Sequence, residues 1–231
     1  MGQVLIEARP APMEIDPLAA ALVVVDMQND FASVGGMFDR AGIDISSIQA
    51  IVERTQSVIG AARHAGLTIC YLKMGFVDDL SDAGYPHSPT WIKHLPLKVG
   101  APVVSPAGEP SRILIRDTWN TDIITELAPG PDDVVLYKHR YSGFFETRLE
   151  AELRKRGVET IMFVGATTSV CVESTVRDAM ARDFHCLVVE DCVAEPIGAD
   201  LERSNHDASL LTLQLLFASI SDSDAVIAAL S

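Results

Sequence analysis

The run from Thr160 to Asp183, TIMFVGATTSVCVESTVRDAMARD, joins a continuous apolar stretch to a helical pattern. Such an apolar stretch is typical of a strand buried on both faces of a parallel sheet. Cys171 lies in the first turn of the predicted helix. Unpartnered backbone N–H groups and the helix dipole stabilise a thiolate at this position, so we predict that Cys171 is a nucleophile.

Two other apolar strands end on a single ionisable residue. They are ALVVVDMQNDF, which ends on Asp26, and DVVLYKHRYSGFFET, which carries Lys138. The carboxyl ends of parallel strands share one edge of a sheet, and ligands bind in the crevice outside it. We therefore expect Asp26, Lys138 and Cys171 to converge, and an acid, an ammonium and a thiol together are suited to covalent acyl transfer.

Each of these residues has a plainer interpretation when it is taken alone. Cys171 is then a small buried hydrophobe, Asp26 an ordinary N-cap or surface acid, and Lys138 a solvated lysine at a strand end. The pattern of all three residues together favours the catalytic interpretation.

Strand and helix signals alternate along the chain, which predicts an α/β fold with a mainly parallel sheet. Helical spacing continues from Ile48 to Ala62 and stops at Gly66, and further helices are predicted near 147–156, 201–216 and 222–230. FASIS, between the last two helices, is predicted to be a short edge strand. Glycine-rich phosphate-binding motifs are missing, so no nucleotide cofactor is expected.

Composition limits the classes of partner and the cellular location. A net charge of −14 argues against nucleic acid as a partner. The longest apolar run, Leu18 to Val25, is far below the roughly 20 residues that cross a bilayer, so no membrane association is expected. The first ten residues lack a signal-peptide pattern, and the four cysteines show no disulfide or zinc spacing. We expect a cytoplasmic protein with a single domain over 1–231.

Three ordered motifs carry a family resemblance from about Leu18 to Leu230. They are VVDMQNDF around Asp26, K-x-x-x-S-x-F beginning at Lys138, and GATTSVCVESTVRDA around Cys171. With them the chain resembles the isochorismatase-like cysteine hydrolases. The resemblance implies a Rossmann-like three-layer α/β/α fold with a mainly parallel six-stranded sheet. It also implies a homo-oligomer, either a dimer or a tetramer, without cofactor or metal.

The same resemblance assigns roles within the site. Asp26, Lys138 and Cys171 would form the catalytic triad, and the backbone N–H groups of Thr167 and Cys171 would form the oxyanion hole. The family also tends to have a cis peptide at the position of the Ala166–Thr167 bond.

Within the family, KHRYSGFFET and SVCVEST are most similar to the hydrolases of ureidoacrylate, biuret and triuret. The resemblance therefore predicts a cysteine amidohydrolase that cleaves a C–N bond of a small ureido compound through a thioester. One departure is the sequence from Lys73 to Phe76, KMGF, where the ureidoacrylate enzymes read approximately QNGW. His87 and His94 lack the metal-binding arrangement of the nicotinamidases.

Three alternatives remain open from the sequence. The same triad would also suit an N-carbamoyl amino acid or a simple amide such as maleamate. A non-catalytic α/β domain would bind a small ligand and carry an inactive thiol. A redox-sensing thiol is the third alternative, although no other cysteine has the spacing of a resolving partner.

Five side chains are predicted to contact the substrate. Phe31 and Phe76 would form walls of a planar pocket, and Tyr141 would donate a hydrogen bond. Met74 replaces the family's amide, and Asp82 would accept N–H bonds of a ureido group. Core packing is the alternative for each aromatic residue, and an ordinary acidic loop is the alternative for Asp82. The segment 74–118, which is irregular and rich in proline, would cover the pocket or contact a neighbouring subunit.

Overall fold

The computed structural model describes residues 2–231. The strands are β1 (Val4–Ile6), β2 (Met13–Ile15), β3 (Ala20–Val25), β4 (Thr68–Met74), β5 (Pro102–Val104), β6 (Pro110–Arg112), β7 (Val134–Lys138), β8 (Thr160–Ala166), β9 (His185–Ala194) and β10 (Ser219–Ser221). The helices are α1 (Asn29–Ala32), α2 (Met37–Arg40), α3 (Ser46–Ala50), α4 (Val52–His64), α5 (Pro89–His94), α6 (Leu149–Lys155), α7 (Glu173–Met180), α8 (Asn205–Leu216) and α9 (Ser223–Leu230).

A six-stranded sheet with the order β10-β9-β8-β3-β4-β7 forms the centre of the fold. Every pair of neighbouring strands in it is parallel. From β3 the chain adds β4 and β7 on one side and then returns to add β8, β9 and β10 on the other. This reversal beside β3 is a topological switch point, where open parallel sheets bind their ligands.

Helices cover both faces of the sheet. Along β3, Leu22 and Val24 join one apolar cluster with α3, α4 and α9, while Val23 and Val25 join a second cluster with α6, α7 and α8. All six residues of β3 are buried because both faces are covered, which explains its uninterrupted apolar sequence. The predicted α/β class, with three layers and a six-stranded sheet, is confirmed.

Several predicted element boundaries shift slightly in the structure. The first long helix divides into α3 and α4, and Gly66 follows α4 with a φ of +85° that suits glycine. The helix predicted from 201 begins instead at Asn205, because the Ser204 hydroxyl accepts the Asp207 N–H at 3.1 Å and caps it there. β10 confirms the predicted edge strand.

An antiparallel pair, β1 and β2, was not predicted and protects an edge of the central sheet. After β1, the Arg9 N–H donates to the Ile220 carbonyl at 2.8 Å, and the Ile220 N–H donates back at 3.0 Å. Ile220 belongs to the edge strand β10, so this bridge covers part of its free backbone.

The segment 74–118 contains α5, a short 3-10 helix at Leu95–Leu97 and the β5–β6 hairpin. Phe76 and Ile115 form a parallel bridge that closes its two ends together. The residues between them extend over the carboxyl edge of the central sheet, where several line a cavity. Across residues 2–231, none of the helices has both the length and the apolar character required to cross a membrane.

Candidate active site

Asp26 follows the last residue of β3 and lies at the switch point. Its backbone adopts a φ of +50°, a left-handed conformation that aspartate tolerates better than most residues, and its N–H donates to the Leu72 carbonyl at 3.0 Å. Only 1% of the residue is exposed. The carboxylate is thus removed from bulk water and held at the sheet edge.

Lys138 ends β7 and is fully buried. Its Nζ lies 2.7 Å from Asp26 Oδ2 and donates to Cys171 Sγ at 3.3 Å. The same ammonium donates to the Arg140 carbonyl at 3.3 Å. Lys138 therefore joins the acid and the thiol, and the three predicted side chains converge in the structure.

Cys171 lies on a π-helical turn, Thr168–Val172, between β8 and α7. The Ala166–Thr167 peptide bond before this turn is cis, as the resemblance implied. Gly165 precedes that bond with a φ of +116°, and a Cβ at this position would lie 2.1 Å from the Val25 carbonyl oxygen. Only glycine therefore lets β8 approach β3 this closely beside Asp26.

The pKa of the Cys171 thiol differs from the expectation for the first turn of an isolated helix, where it would be lowered. Burial raises the pKa of the Cys171 thiol, and the nearby Asp26 charge adds to this effect, although Lys138 opposes it. Burial also raises the pKa of Asp26. For Lys138, burial acts to lower the pKa, but the charges of Asp26 and Cys171 outweigh it and leave the pKa raised. The structure therefore places an ion pair of Asp26 and Lys138 beside the thiol, and the pKa of that thiol is raised rather than lowered as expected at an isolated helix start.

Hydrogen bonds from three elements fix the turn that carries Cys171. Glu195, directly after β9, is buried, and its Oε2 accepts the N–H of Ser169 at 2.9 Å and also the Ser169 hydroxyl. His206 Nδ1 bonds the Thr168 hydroxyl at 3.0 Å. The Thr175 hydroxyl donates to the Cys171 carbonyl at 2.6 Å. Sequence reasoning did not identify Glu195, because nothing in its local pattern distinguishes it from a surface acid.

A cavity of about 290 Å³ opens onto the site. Asp26, Thr167 and Cys171 line it, whereas Lys138 lies behind them. The two residues with the predicted oxyanion-hole N–H groups therefore lie at the cavity surface beside the thiol.

The comparisons with known proteins agree with this geometry. A family model described as "Isochorismatase domain" matches residues 20–225. The chain belongs to the isochorismatase family. It is 41% identical over 190 residues to a ureidoacrylate amidohydrolase RutB of Caulobacter segnis, covering 82% of this chain and 78% of that protein. The resemblance predicted from the three motifs is confirmed.

Two solved structures of the isochorismatase fold are also similar. A cysteine hydrolase from Pseudomonas syringae pv. phaseolicola has a TM-score of 0.78 and 30% identity, with 100% of this chain and 98% of that chain covered. An N-carbamoylsarcosine amidase from Thermoplasma acidophilum has a TM-score of 0.65 and 28% identity, with 89% and 96% covered.

The predicted substrate contacts of this isochorismatase-family chain divide into two groups. Phe31, Met74 and Tyr141 line the cavity. Phe76 is completely buried behind the wall, with its ring 5.4 Å from that of His94. Asp82 is also absent from the lining.

The position of Asp82 has a clear physical cause. Its carboxylate pairs with Arg116 at 2.6 Å and accepts the Val77 N–H at 3.0 Å. These two partners hold the acid within the 74–118 segment, so it is not available to accept N–H bonds from a ligand in the cavity.

Two polar lining residues of the isochorismatase-family site were not predicted as contacts. His94 is buried, and its Nδ1 donates to the Thr90 carbonyl at 2.7 Å, which leaves Nε2 as an acceptor. Burial lowers the pKa of His94, so the ring is neutral. Lys93 is the only cationic side chain that lines the cavity within the described part of the chain. The sequence around Lys93 and His94 does not indicate that they line a cavity, because α5 lies in a segment without regular hydrophobic periodicity.

Gln28 and Asp30 organise the approach to the cavity. The Gln28 side chain accepts the Met74 N–H at 2.6 Å and donates to the Met74 carbonyl at 2.9 Å. Asp30 accepts the N–H groups of Met37 at 2.8 Å and Leu114 at 2.7 Å. Asp30 therefore holds α2 and the chain around Leu114 together through backbone N–H groups. No group of three or more His, Cys, Asp or Glu side chains within residues 2–231 is arranged to hold a metal ion.

Proposed function

We propose that the protein is a cysteine amidohydrolase that cleaves a C–N bond of a small ureido compound of the ureidoacrylate, biuret or triuret type. The contact of Lys138 with both Asp26 and Cys171, at the end of a cavity, carries this proposal. The name of the Caulobacter relative supports the ureido substrate.

The reaction begins with proton transfer from the Cys171 thiol to Asp26. Before this transfer the buried site holds one anion beside Lys138, and after it the site again holds one anion, now the thiolate, beside the same ammonium. No net charge is created in the low-dielectric interior, so the desolvation that disfavours a lone thiolate is largely compensated. The raised pKa of Asp26 makes it a better proton acceptor.

The thiolate then attacks the ureido carbonyl carbon and forms a C–S bond. The backbone N–H groups of Thr167 and Cys171 stabilise the oxyanion, and one such donor typically lowers the barrier by about 3 kcal/mol. Asp26 returns its proton to the leaving nitrogen as the C–N bond breaks. Water, deprotonated by Asp26, cleaves the resulting thioester and restores the thiol.

Polar groups around the cavity suit a ureido acid. Lys93 supplies a cation for a carboxylate such as that of ureidoacrylate, and Tyr141 supplies a hydroxyl donor. The neutral His94 ring offers an acceptor for a ureido N–H. Phe31 and Met74 supply apolar walls.

A second candidate substrate is an N-carbamoyl amino acid. The similarity to N-carbamoylsarcosine amidase, at 28% identity over 89% of this chain, supports it. The chemistry is the same, because the carbamoyl group of such a compound is itself a ureido group. A simple amide such as maleamate would need only the triad and the oxyanion hole.

We also propose that the chain is one domain in a cytoplasmic homo-oligomer, a dimer or a tetramer. The free thiols of all four cysteines support the reducing compartment. Exposed apolar side chains on α8, at Leu211, Leu215 and Leu216, support a subunit interface. Light scattering of the purified protein at several concentrations tests the oligomer, and a monomer at all of them would refute it.

The first test of the function measures ammonia release from ureidoacrylate, biuret, triuret and N-carbamoyl amino acids, with Cys171→Ser in parallel. Turnover of at least one compound by the wild type, and its loss in the variant, is the expected result. If none of the ureido compounds is hydrolysed while maleamate is, the enzyme is instead an amidase of simple amides.

A further inference from the structure

Most of the cavity surface is apolar. Six lining residues carry polar side chains, and they are Asp26, Lys93, His94, Tyr141, Thr167 and Cys171. The other lining residues are Phe31, Met37, Phe38, Ile43, Met74, Pro96, Leu97, Leu114, Ala166, Val170 and Ile197. These apolar residues come from separate parts of the chain, so the surface is built by the tertiary fold.

The volume of the cavity exceeds what a ureido group requires. A cavity needs about 10–15 Å³ to hold one water molecule, whereas this cavity has about 290 Å³. Apart from its ureido and carboxylate groups, ureidoacrylate has only a vinylene unit, and biuret and triuret have no C–H bond. None of these compounds has an apolar substituent that matches the apolar lining residues.

The wall is also ordered before any ligand binds. Phe31 and Phe38 pack edge to face, with ring centroids 4.9 Å apart, and both residues are buried. An aromatic pair fixed in this way is a preformed contact surface for an aromatic or branched group of a ligand. Binding then costs little additional side-chain entropy, because the two rings are already held in place.

We infer that the preferred substrate is a ureido compound whose nitrogen carries a bulky apolar substituent, such as an N-carbamoyl amino acid with a branched or aromatic side chain. This inference rests on the proposed amidohydrolase function. The ureido group lies at Cys171, and the substituent packs against Phe31, Phe38 and Leu97.

The test compares kcat/KM for ureidoacrylate and for the N-carbamoyl derivatives of glycine, alanine, leucine and phenylalanine. One methylene in a well-fitted apolar pocket changes kcat/KM by about tenfold or more. The leucine and phenylalanine derivatives are therefore expected to exceed the glycine derivative by at least about tenfold, and to exceed ureidoacrylate.

Leucine or isoleucine to asparagine substitutions inside and outside the cavity show whether an effect comes from the cavity wall or from any exposed apolar position. Leu97→Asn and Ile197→Asn place a polar group on the cavity wall, and both positions are partly exposed, so the fold tolerates the change. Leu95→Asn and Leu201→Asn are controls at exposed neighbouring positions outside this lining. The wall variants are expected to lower kcat/KM for the leucine and phenylalanine derivatives by a larger factor than for the glycine derivative. The controls are expected to match the wild type on all substrates.

The outcomes distinguish this inference from the proposed function. If the ureido compounds are hydrolysed but kcat/KM stays constant or falls as the side chain becomes larger, the inference is wrong and the proposed function stands. An equal loss on every substrate in the wall variants also overturns it. No hydrolysis of any ureido compound overturns both.

Discussion

The cavity has two walls that are built in different ways. The strand-end wall, formed by Asp26, Thr167 and Cys171, lies directly on β3 and β8 of the parallel sheet. The insert wall, formed by Lys93, His94, Pro96, Leu97 and Leu114, belongs to the irregular segment between β4 and β7. Under the proposed mechanism the strand-end wall supplies the groups that react, and the insert wall would contact the rest of the substrate.

The two walls also differ in the contacts that hold them in place and in their exposure to solvent. Paired strands, the Glu195 carboxylate and the Lys138 ammonium hold the strand-end wall, and its residues are almost completely buried. In the insert wall Lys93 and Pro96 are exposed. The strand-end wall is therefore held by several distant parts of the chain, whereas part of the insert wall borders solvent.

The largest effect is expected for the reacting groups of the strand-end wall. Cys171→Ser and Asp26→Asn should each lower kcat at least about a thousandfold, because each removes a group that takes part in bond formation or proton transfer. Ammonia release and circular dichroism measure activity and fold together. Cys186→Ser, at a buried thiol outside the cavity, should remain active. Wild-type turnover in either site variant would contradict the assignment.

Asp30 joins α2 to Leu114 of the insert wall, and its burial makes this connection sensitive to pH. Burial raises the pKa of Asp30 to about 6, against the opposing hydrogen bonds from Asn120, Leu114 and Met37. A raised carboxyl pKa stabilises the fold fully below the unfolded value of 3.8 and loses this contribution as pH rises through about 6. The expected loss of unfolding free energy from this group between these pH values is about 3 kcal/mol.

Urea unfolding of the wild type and Asp30→Asn, measured from pH 4 to pH 7, checks this expectation. The variant is less stable because one of its amide positions cannot accept an N–H bond, but its free energy of unfolding should fall less over this range. Parallel pH profiles for the two proteins would show that the titration of Asp30 does not change the stability in this range.

Glu195 should affect the rate rather than binding. Glu195→Gln replaces one carboxylate oxygen with an NH₂ group, so the N–H groups of Ser169 and Ile197 no longer both have an acceptor. We expect kcat to fall about 10- to 100-fold with little change in KM, because the oxyanion N–H groups shift. Glu190→Gln, which alters an exposed ion pair with Arg9, is the matched control. A change in KM alone would argue against a positioning role.

The smallest effect is expected on the insert wall. Lys93→Met should raise KM for ureidoacrylate about two- to fivefold without changing kcat, because an exposed charge contributes little to binding. KM for biuret, which has no carboxylate, should stay constant. Lys98→Met, outside this cavity, is the control. An equal effect of Lys93→Met on both substrates would exclude a carboxylate contact.

Sequence reasoning performed differently for the two walls. Continuous apolar strands and short ordered motifs are local signals, and they predicted the parallel sheet and the convergence of Asp26, Lys138 and Cys171. Of the contacts predicted from the 74–118 segment, Met74 lines the cavity, whereas Phe76 and Asp82 do not. Asp82 pairs with Arg116, and Phe76 is buried behind His94, because partners distant in sequence set the orientation of both side chains.

The sequence by itself determined the order of strands and helices, the family and the three ionisable groups at strand ends, because hydrophobic periodicity and motif spacing are properties of neighbouring residues. Only the tertiary structure decided the burial that raises the pKa of the Cys171 thiol, the contact of Glu195 with Ser169 and the apolar lining of the cavity. The physical reason is that burial, charge proximity and cavity shape depend on chain segments far apart in sequence, and these properties exist only once those segments pack together.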